Sequence, residues 1–144
     1  MTTTDTSLPE VLETAWKAAQ AQSLGYAGSV PPLAAWQLVQ QQRAVLVDVR
    51  SAEERHFVGH VPGSIHVPWA TGTALTRNPR FVRELEARLA AHGGKDAVAL
   101  LLCRSGKRSV LAAQAAEAAG FRHVFNVQEG FDCLLYTSPS PRDS

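Results

Sequence analysis

The segment that most constrains this chain is Ala97-Val98-Ala99-Leu100-Leu101-Leu102, an apolar run with no polar position inside it. Its length suits a strand rather than a helix, and its uniformity predicts burial on both faces, hence a central strand. Ala44-Val45-Leu46-Val47-Asp48-Val49 is a β-branched apolar run short enough for a second buried strand, and His123 to Val127 reads as another strand. Helical patterns lie between them. Asn78-Pro79 opens a helix over 81–91 with Phe81, Val82, Leu85 and Leu89 on one face, ended by Gly93-Gly94. Lys107 to Ala119 reads as an Ala-rich helix stopped by Gly120. Its small side chains let it lie close against a sheet. Strands alternating with helices predict an α/β fold with a parallel sheet covered on both faces.

The remaining elements are shorter. Pro9 starts a helix to Gln22, with Val11, Leu12, Ala15, Trp16 and Ala19 at helical spacing. Leu33 to Gln41 reads as a second helix, and Ile65 to Val67 as a brief strand. Ser51 with Glu54 forms a capping box for a short helix reaching Val58. Residues 1–8 read as an unstructured lead.

Composition narrows the class. Fourteen basic against thirteen acidic residues leave a formal charge of +1, which argues against nucleic-acid binding or a polybasic membrane anchor. No apolar run approaches the roughly 20 residues that span a bilayer. Two cysteines, Cys103 and Cys133, make neither a secreted disulfide framework nor a Cys-rich zinc module. A cytoplasmic enzyme or binding module is expected, without a signal peptide.

The chemistry concentrates at Cys103-Arg104-Ser105-Gly106-Lys107-Arg108-Ser109. The central strand delivers Cys103 to the C-terminal edge of the sheet, where α/β proteins bind ligands, and a helix starts just beyond. A Gly-containing loop there can turn backbone N–H groups inward as an anion nest. The helix N-terminus and Arg104, Lys107 and Arg108 favour thiolate over thiol, giving an activated nucleophile and a site for anions. An isolated cysteine beside a basic turn is more often inert; its position after a strand and inside this loop reverses that balance.

Further segments carry a resemblance. Leu46-Val47-Asp48-Val49-Arg50 with Glu53-Glu54 is followed by Gly59-His60-Val61-Pro62-Gly63-Ser64-Ile65-His66-Val67-Pro68. The Cys103–Arg108 loop comes next, then Ala118-Ala119-Gly120-Phe121, Val124-Phe125-Asn126-Val127 and Glu129-Gly130-Phe131. In this order, over roughly residues 30–131, the set resembles a single-domain rhodanese. The resemblance implies a five-stranded parallel sheet with helices on both faces and a sulfurtransferase reaction. Cys103 would take the outer sulfur of a small anionic donor such as thiosulfate as a persulfide. It would then pass that sulfur to cyanide, a thiol or a protein sulfur carrier, with no metal or organic cofactor.

Arg104, Ser105, Gly106, Lys107 and Arg108 are then the substrate-binding loop. A persulfide carrier or protein-interaction module of the same fold is the alternative. A phosphatase or arsenate reductase would resemble a Cys followed by five residues and then Arg. Here five residues after Cys103 end at Arg108 and Ser109 comes next, one residue short of that pattern.

Other residues are read as structural. Asp48 and Arg50, at the end of their strand, are expected to anchor loop backbone or pair with each other. Ser109 is expected to cap the helix after the loop. His56, His60 and His66 lack the partners a metal site needs. Trp16 and Trp36 are expected in the core, and Trp69 at the mouth of the site. The domain is placed at residues 30–132, after an N-terminal lead and helix over 1–29. Residues 133–144 resemble the in-frame translation of a sequencing-library adapter, so the native chain is expected to stop near Asp132. The C-terminal helix that follows in the resembled family would then be missing, leaving an aggregation-prone product.

Overall fold

A strand buried on both faces sends successive side chains into two different layers. The computed structural model describes residues 9–52, 61, 63–71, 76–103 and 107–128. In chain order its elements are α1 (Glu10–Gln22), β1 (Ser29–Val30), α2 (Pro32–Gln40), β2 (Val45–Asp48) and β3 (Ile65–His66). These are followed by β4 (Ala70–Thr71), β5 (Thr76–Arg77), α3 (Phe81–Leu89), β6 (Val98–Leu102), α4 (Lys107–Ala118) and β7 (His123–Val127). Five strands form one sheet in the order β1-β7-β6-β2-β3, with every pairing parallel. The small antiparallel pair of β4 and β5 stands apart from it.

The most apolar run is the middle strand. β6 pairs with β2 on one side and with β7 on the other, so both of its edges are closed and both of its faces are covered. Ala99, Leu101 and, just past the strand, Cys103 join Val47, Val49 and Val124 against Phe81, Leu85 and Leu89 of α3 and Ala112, Ala113 and Ala116 of α4. Leu100 and Leu102 join Leu46, Phe125 and Val127 against Leu12 of α1 and Ala35 and Leu38 of α2. Each fully buried Leu or Phe contributes roughly 2 kcal/mol through area removed from water. The three alanines of α4 are fully buried, as their small size and close approach to the sheet require.

Several expectations need correction. Trp16 is 39% exposed, not in the core, because α1 buries the stripe of Leu12 and Ala19 and turns Trp16 away. Leu33 is likewise exposed on α2. The helix expected over 81–91 ends at Leu89, and a 3-10 turn over Ala90–His92 leads into Gly93 at φ 110°. α1 packs on the sheet. Leu12 has no exposure and shares a core cluster with Leu100 and Phe125. The helix expected over 51–58 lies largely outside the described residues, as do His56, His60 and residues 133–144.

β1 escaped the sequence reading because it is two residues long and flanked by Gly28 and Pro31. Gly28 has φ +136°, and a Cβ there would lie 2.5 Å from the Ala15 carbonyl oxygen. Only glycine lets α1 come this close to the chain entering β1. Gly28→Ala should therefore lose at least about 2 kcal/mol of stability in urea denaturation. A loss below about 0.5 kcal/mol would contradict the close approach.

Candidate active site

The parity of β6 decides where its last side chains go. Leu102 faces the layer of α1 and α2, so Cys103 falls on the opposite face, under α3 and α4. The Cys103 residue is fully buried, and its thiol is free of any disulfide. The chain re-enters the described residues at Lys107, the first residue of α4, so strand end and helix start meet at one edge of the sheet. The partial positive charge of the α4 N-terminus is directed there. Lys107 is exposed and Arg108 half-buried. Arg104, Ser105 and Gly106 of the expected substrate loop lie outside the described residues.

Ser109 occupies a different place from the one expected. It is the third residue of α4 and fully buried, inside the helix rather than at its cap. Its Oγ lies 3.4 Å from Cys103 Sγ, and its hydroxyl donates to Asn126 Oδ1. Asn126 Nδ2 donates to Ser29 Oγ at 3.2 Å, and Ser29 Oγ lies 3.0 Å from the Tyr26 hydroxyl. A continuous polar chain thus runs from the cysteine through α4, β7 and β1 to the loop after α1. The sequence reading missed Asn126, Ser29 and Tyr26. One signal was available: Asn126 interrupts the apolar Val124–Val127 stretch at a position sharing Val124's face, the face that also carries Cys103.

A family model for the rhodanese-like domain matches residues 32–133. The chain belongs to this family. It is 32% identical over 105 residues to the senescence-associated protein DIN1 of Raphanus sativus, a match covering 72% of this chain and 54% of that protein. The thiosulfate sulfurtransferase GlpE of Pseudomonas putida is 29% identical over 111 residues, with coverages of 77% and 87%. Among solved structures, Rv0390 from M. tuberculosis superposes with a TM-score of 0.59 at 41% identity, covering 74% of this chain and 80% of that one. The chain spans about half the length of the plant proteins it matches.

In this rhodanese-like domain Asp48 and Arg50 form a two-pronged ion pair. Arg50 Nε donates to Asp48 Oδ1 at 3.0 Å and Nη2 to Oδ2 at 2.8 Å, and the Arg50 backbone N–H also donates to Oδ1 at 3.0 Å. Both side chains are almost fully buried. Asp48 shares the parity of Leu46, so the pair lies on the side of the sheet away from Cys103. The backbone around the pair is tied to the strand that leads to Cys103. The chain after β2 is clamped between Leu102, through Val49 N–H, and the 67–69 segment, through Val67 and Trp69 N–H. His66 Nε2, 2.8 Å from the Arg50 carbonyl oxygen, ties β3 to the same turn.

Trp69 was expected at the mouth of the site. It is buried instead, with its ring edge-on to Phe81 at 5.2 Å between centroids and Arg77 stacked 4.7 Å from its own centroid. Asn78 secures this corner: its backbone N–H donates to the Trp69 carbonyl oxygen, and its Oδ1 accepts from Arg80 N–H at the start of α3.

Removing the guanidinium strips a buried carboxylate of its two-pronged partner. Arg50→Ala should lower stability by about 3–5 kcal/mol, read by chemical denaturation. A loss under about 1 kcal/mol would show that the pair is more hydrated than its burial implies.

Proposed function

We propose that this rhodanese-like domain is a sulfurtransferase that works through a persulfide on Cys103. The Cys103 thiolate attacks the outer sulfur of an anionic donor such as thiosulfate. A new S–S bond forms to Cys103 as the donor's own S–S bond breaks, and the electron pair of that bond leaves on sulfite. A thiolate or cyanide then attacks the terminal sulfur, leaves with it, and returns Cys103 as thiolate. Charge and sulfur balance in both halves without an external oxidant or reductant.

The observation that carries this reading is the place of Cys103, held at the end of the central strand and directly before the N-terminus of α4. The N-terminus of α4, with Lys107 and Arg108 in its first turn, directs positive potential toward that edge of the sheet, which suits an anionic donor. Arg104, Ser105, Gly106, Lys107 and Arg108 are assigned to donor binding. Asp48 and Arg50 are assigned to holding the neighbouring turn. A reducing, cytoplasmic setting suits a reaction that needs the thiol free after each turnover. The spacing from Cys103 to Arg108 supports sulfur transfer over phosphate hydrolysis.

Incubation with thiosulfate should raise the intact mass by one sulfur atom in the native chain and not in Cys103→Ser. Failure to gain sulfur from any sulfane donor would overturn the assignment. Hydrolysis of aryl phosphates would redirect it to the phosphatase reading. A persulfide that forms but turns over only with a protein acceptor would make the domain a carrier.

A further inference from the structure

We propose that Asn126 is a positioning residue for the Cys103 sulfur, acting through the Ser109 hydroxyl. The proposal rests on the persulfide reading and assigns part of its machinery to a strand outside the cysteine loop. Cys103 Sγ lies 3.4 Å from Ser109 Oγ. The Ser109 hydroxyl donates to Asn126 Oδ1, and Asn126 Nδ2 donates 3.2 Å to Ser29 Oγ. Ser29 Oγ is 3.0 Å from the Tyr26 hydroxyl. Cys103 and Ser109 are fully buried, and Asn126 and Tyr26 nearly so.

The register explains why a side chain on β7 can do this. Asn126 pairs with Leu101 of β6 and shares its face, so it stands beside the strand that leads directly into Cys103. α4 crosses above, and Ser109 descends from it between the two.

Each link in this chain can both give and accept a hydrogen bond, and that property suits a sulfur that changes charge. With the proton of Ser109 on Asn126, Ser109 Oγ is able to accept from a Cys103 thiol. When the sulfur becomes a thiolate or persulfide anion, the Ser109 hydroxyl turns to donate to it. A turn of the Asn126 amide then presents Nδ2 to Ser109 Oγ and Oδ1 to the Ser29 hydroxyl, with Tyr26 able to donate to Ser29. The whole chain reverses its direction with no net movement of protons along it. An amide is the side chain that permits this, because it carries a donor and an acceptor on one rotatable group. The buried setting strengthens each link.

Among the described residues, the elements carrying this chain also hold Lys107, Arg108 and Glu117 on α4, His123 on β7 and Tyr26 in the loop after α1, while the Asp48–Arg50 pair at the end of β2 lies on the opposite face of the sheet. Asn126 sets the direction of one hydroxyl.

The experiment compares the native chain, Asn126→Leu, Ser109→Ala and the double variant in two assays. One follows thiosulfate-dependent persulfide formation by rapid quench and mass measurement. The other follows alkylation of Cys103 by iodoacetamide, which reads the sulfur without any sulfur donor. Loss of Asn126 should slow both reactions about tenfold, the factor of one charge-assisted hydrogen bond. The fall in persulfide formation should appear in the maximal rate with the half-saturating thiosulfate concentration unchanged.

In the Ser109→Ala background the same substitution should change either rate less than twofold, because the link to sulfur is already gone. A purely structural role would loosen the packing around the thiol and speed its alkylation. Unchanged or faster alkylation in Asn126→Leu, or a tenfold fall that persists without Ser109, overturns the proposal. If Asn126→Leu does not fold, Ser29→Ala removes the far partner of the amide instead. It should give a smaller fall, about threefold, that also vanishes without Ser109; no fall overturns the proposal. A native chain that is alkylated normally but never takes sulfur would refute the persulfide reading, while the alkylation comparison still decides the role of Asn126.

Discussion

β6 is hydrogen-bonded along both edges and covered on both faces, and the placement of nearly every other element answers to it. Its two sets of side chains must each find a layer. α3 and α4 supply one, and α1 with α2 supplies the other. The strand ends where Leu102 has gone to the second layer and Cys103 must go to the first. The position of the thiol is therefore a consequence of strand parity. A register shift of one residue would carry Cys103 to the opposite face, away from Ser109 and Asn126.

An apolar layer tolerates buried polar groups only when they satisfy one another. Among the described residues, two of these groups lie on opposite sides of the sheet. Asp48 and Arg50 pair with each other and with the Arg50 backbone N–H at the end of β2. The chain from Cys103 to Tyr26 links groups that can each give and accept a hydrogen bond. The first arrangement suits rigidity. The second suits a sulfur that alternates between neutral and anionic forms.

The sheet was legible in the sequence wherever burial on both faces leaves a largely apolar run, as at Val45–Asp48, Val98–Leu102 and His123–Val127. The stripe of Phe81, Leu85 and Leu89 gave α3 for the same reason. β1 and the β4–β5 pair were not legible, since two-residue strands have no period to detect; the equally short β3 showed only as the Ile65–Val67 run after the Gly59, Pro62 and Gly63 breaks. Trp16 was misplaced because helical spacing identifies a stripe of apolar residues without saying which edge of it meets the sheet. At the site, Cys103 could be read from its place after a strand. Ser109, by contrast, was taken for a cap, because only the fold reveals that its hydroxyl reaches across to β7. Asn126 shows the limit most clearly: its partners are distant in sequence, and pairing of β7 with β6 is what brings them together.

The central claim is that Cys103 takes the outer sulfur of an anionic sulfane donor. The most direct test uses two thiosulfate samples, one labelled at the outer sulfur and one at the inner, followed by peptide mapping of the protein and recovery of the released sulfite. The account predicts outer label on the Cys103 peptide and inner label in sulfite. Inner label on that peptide, or label on any other residue with none on Cys103, would contradict it.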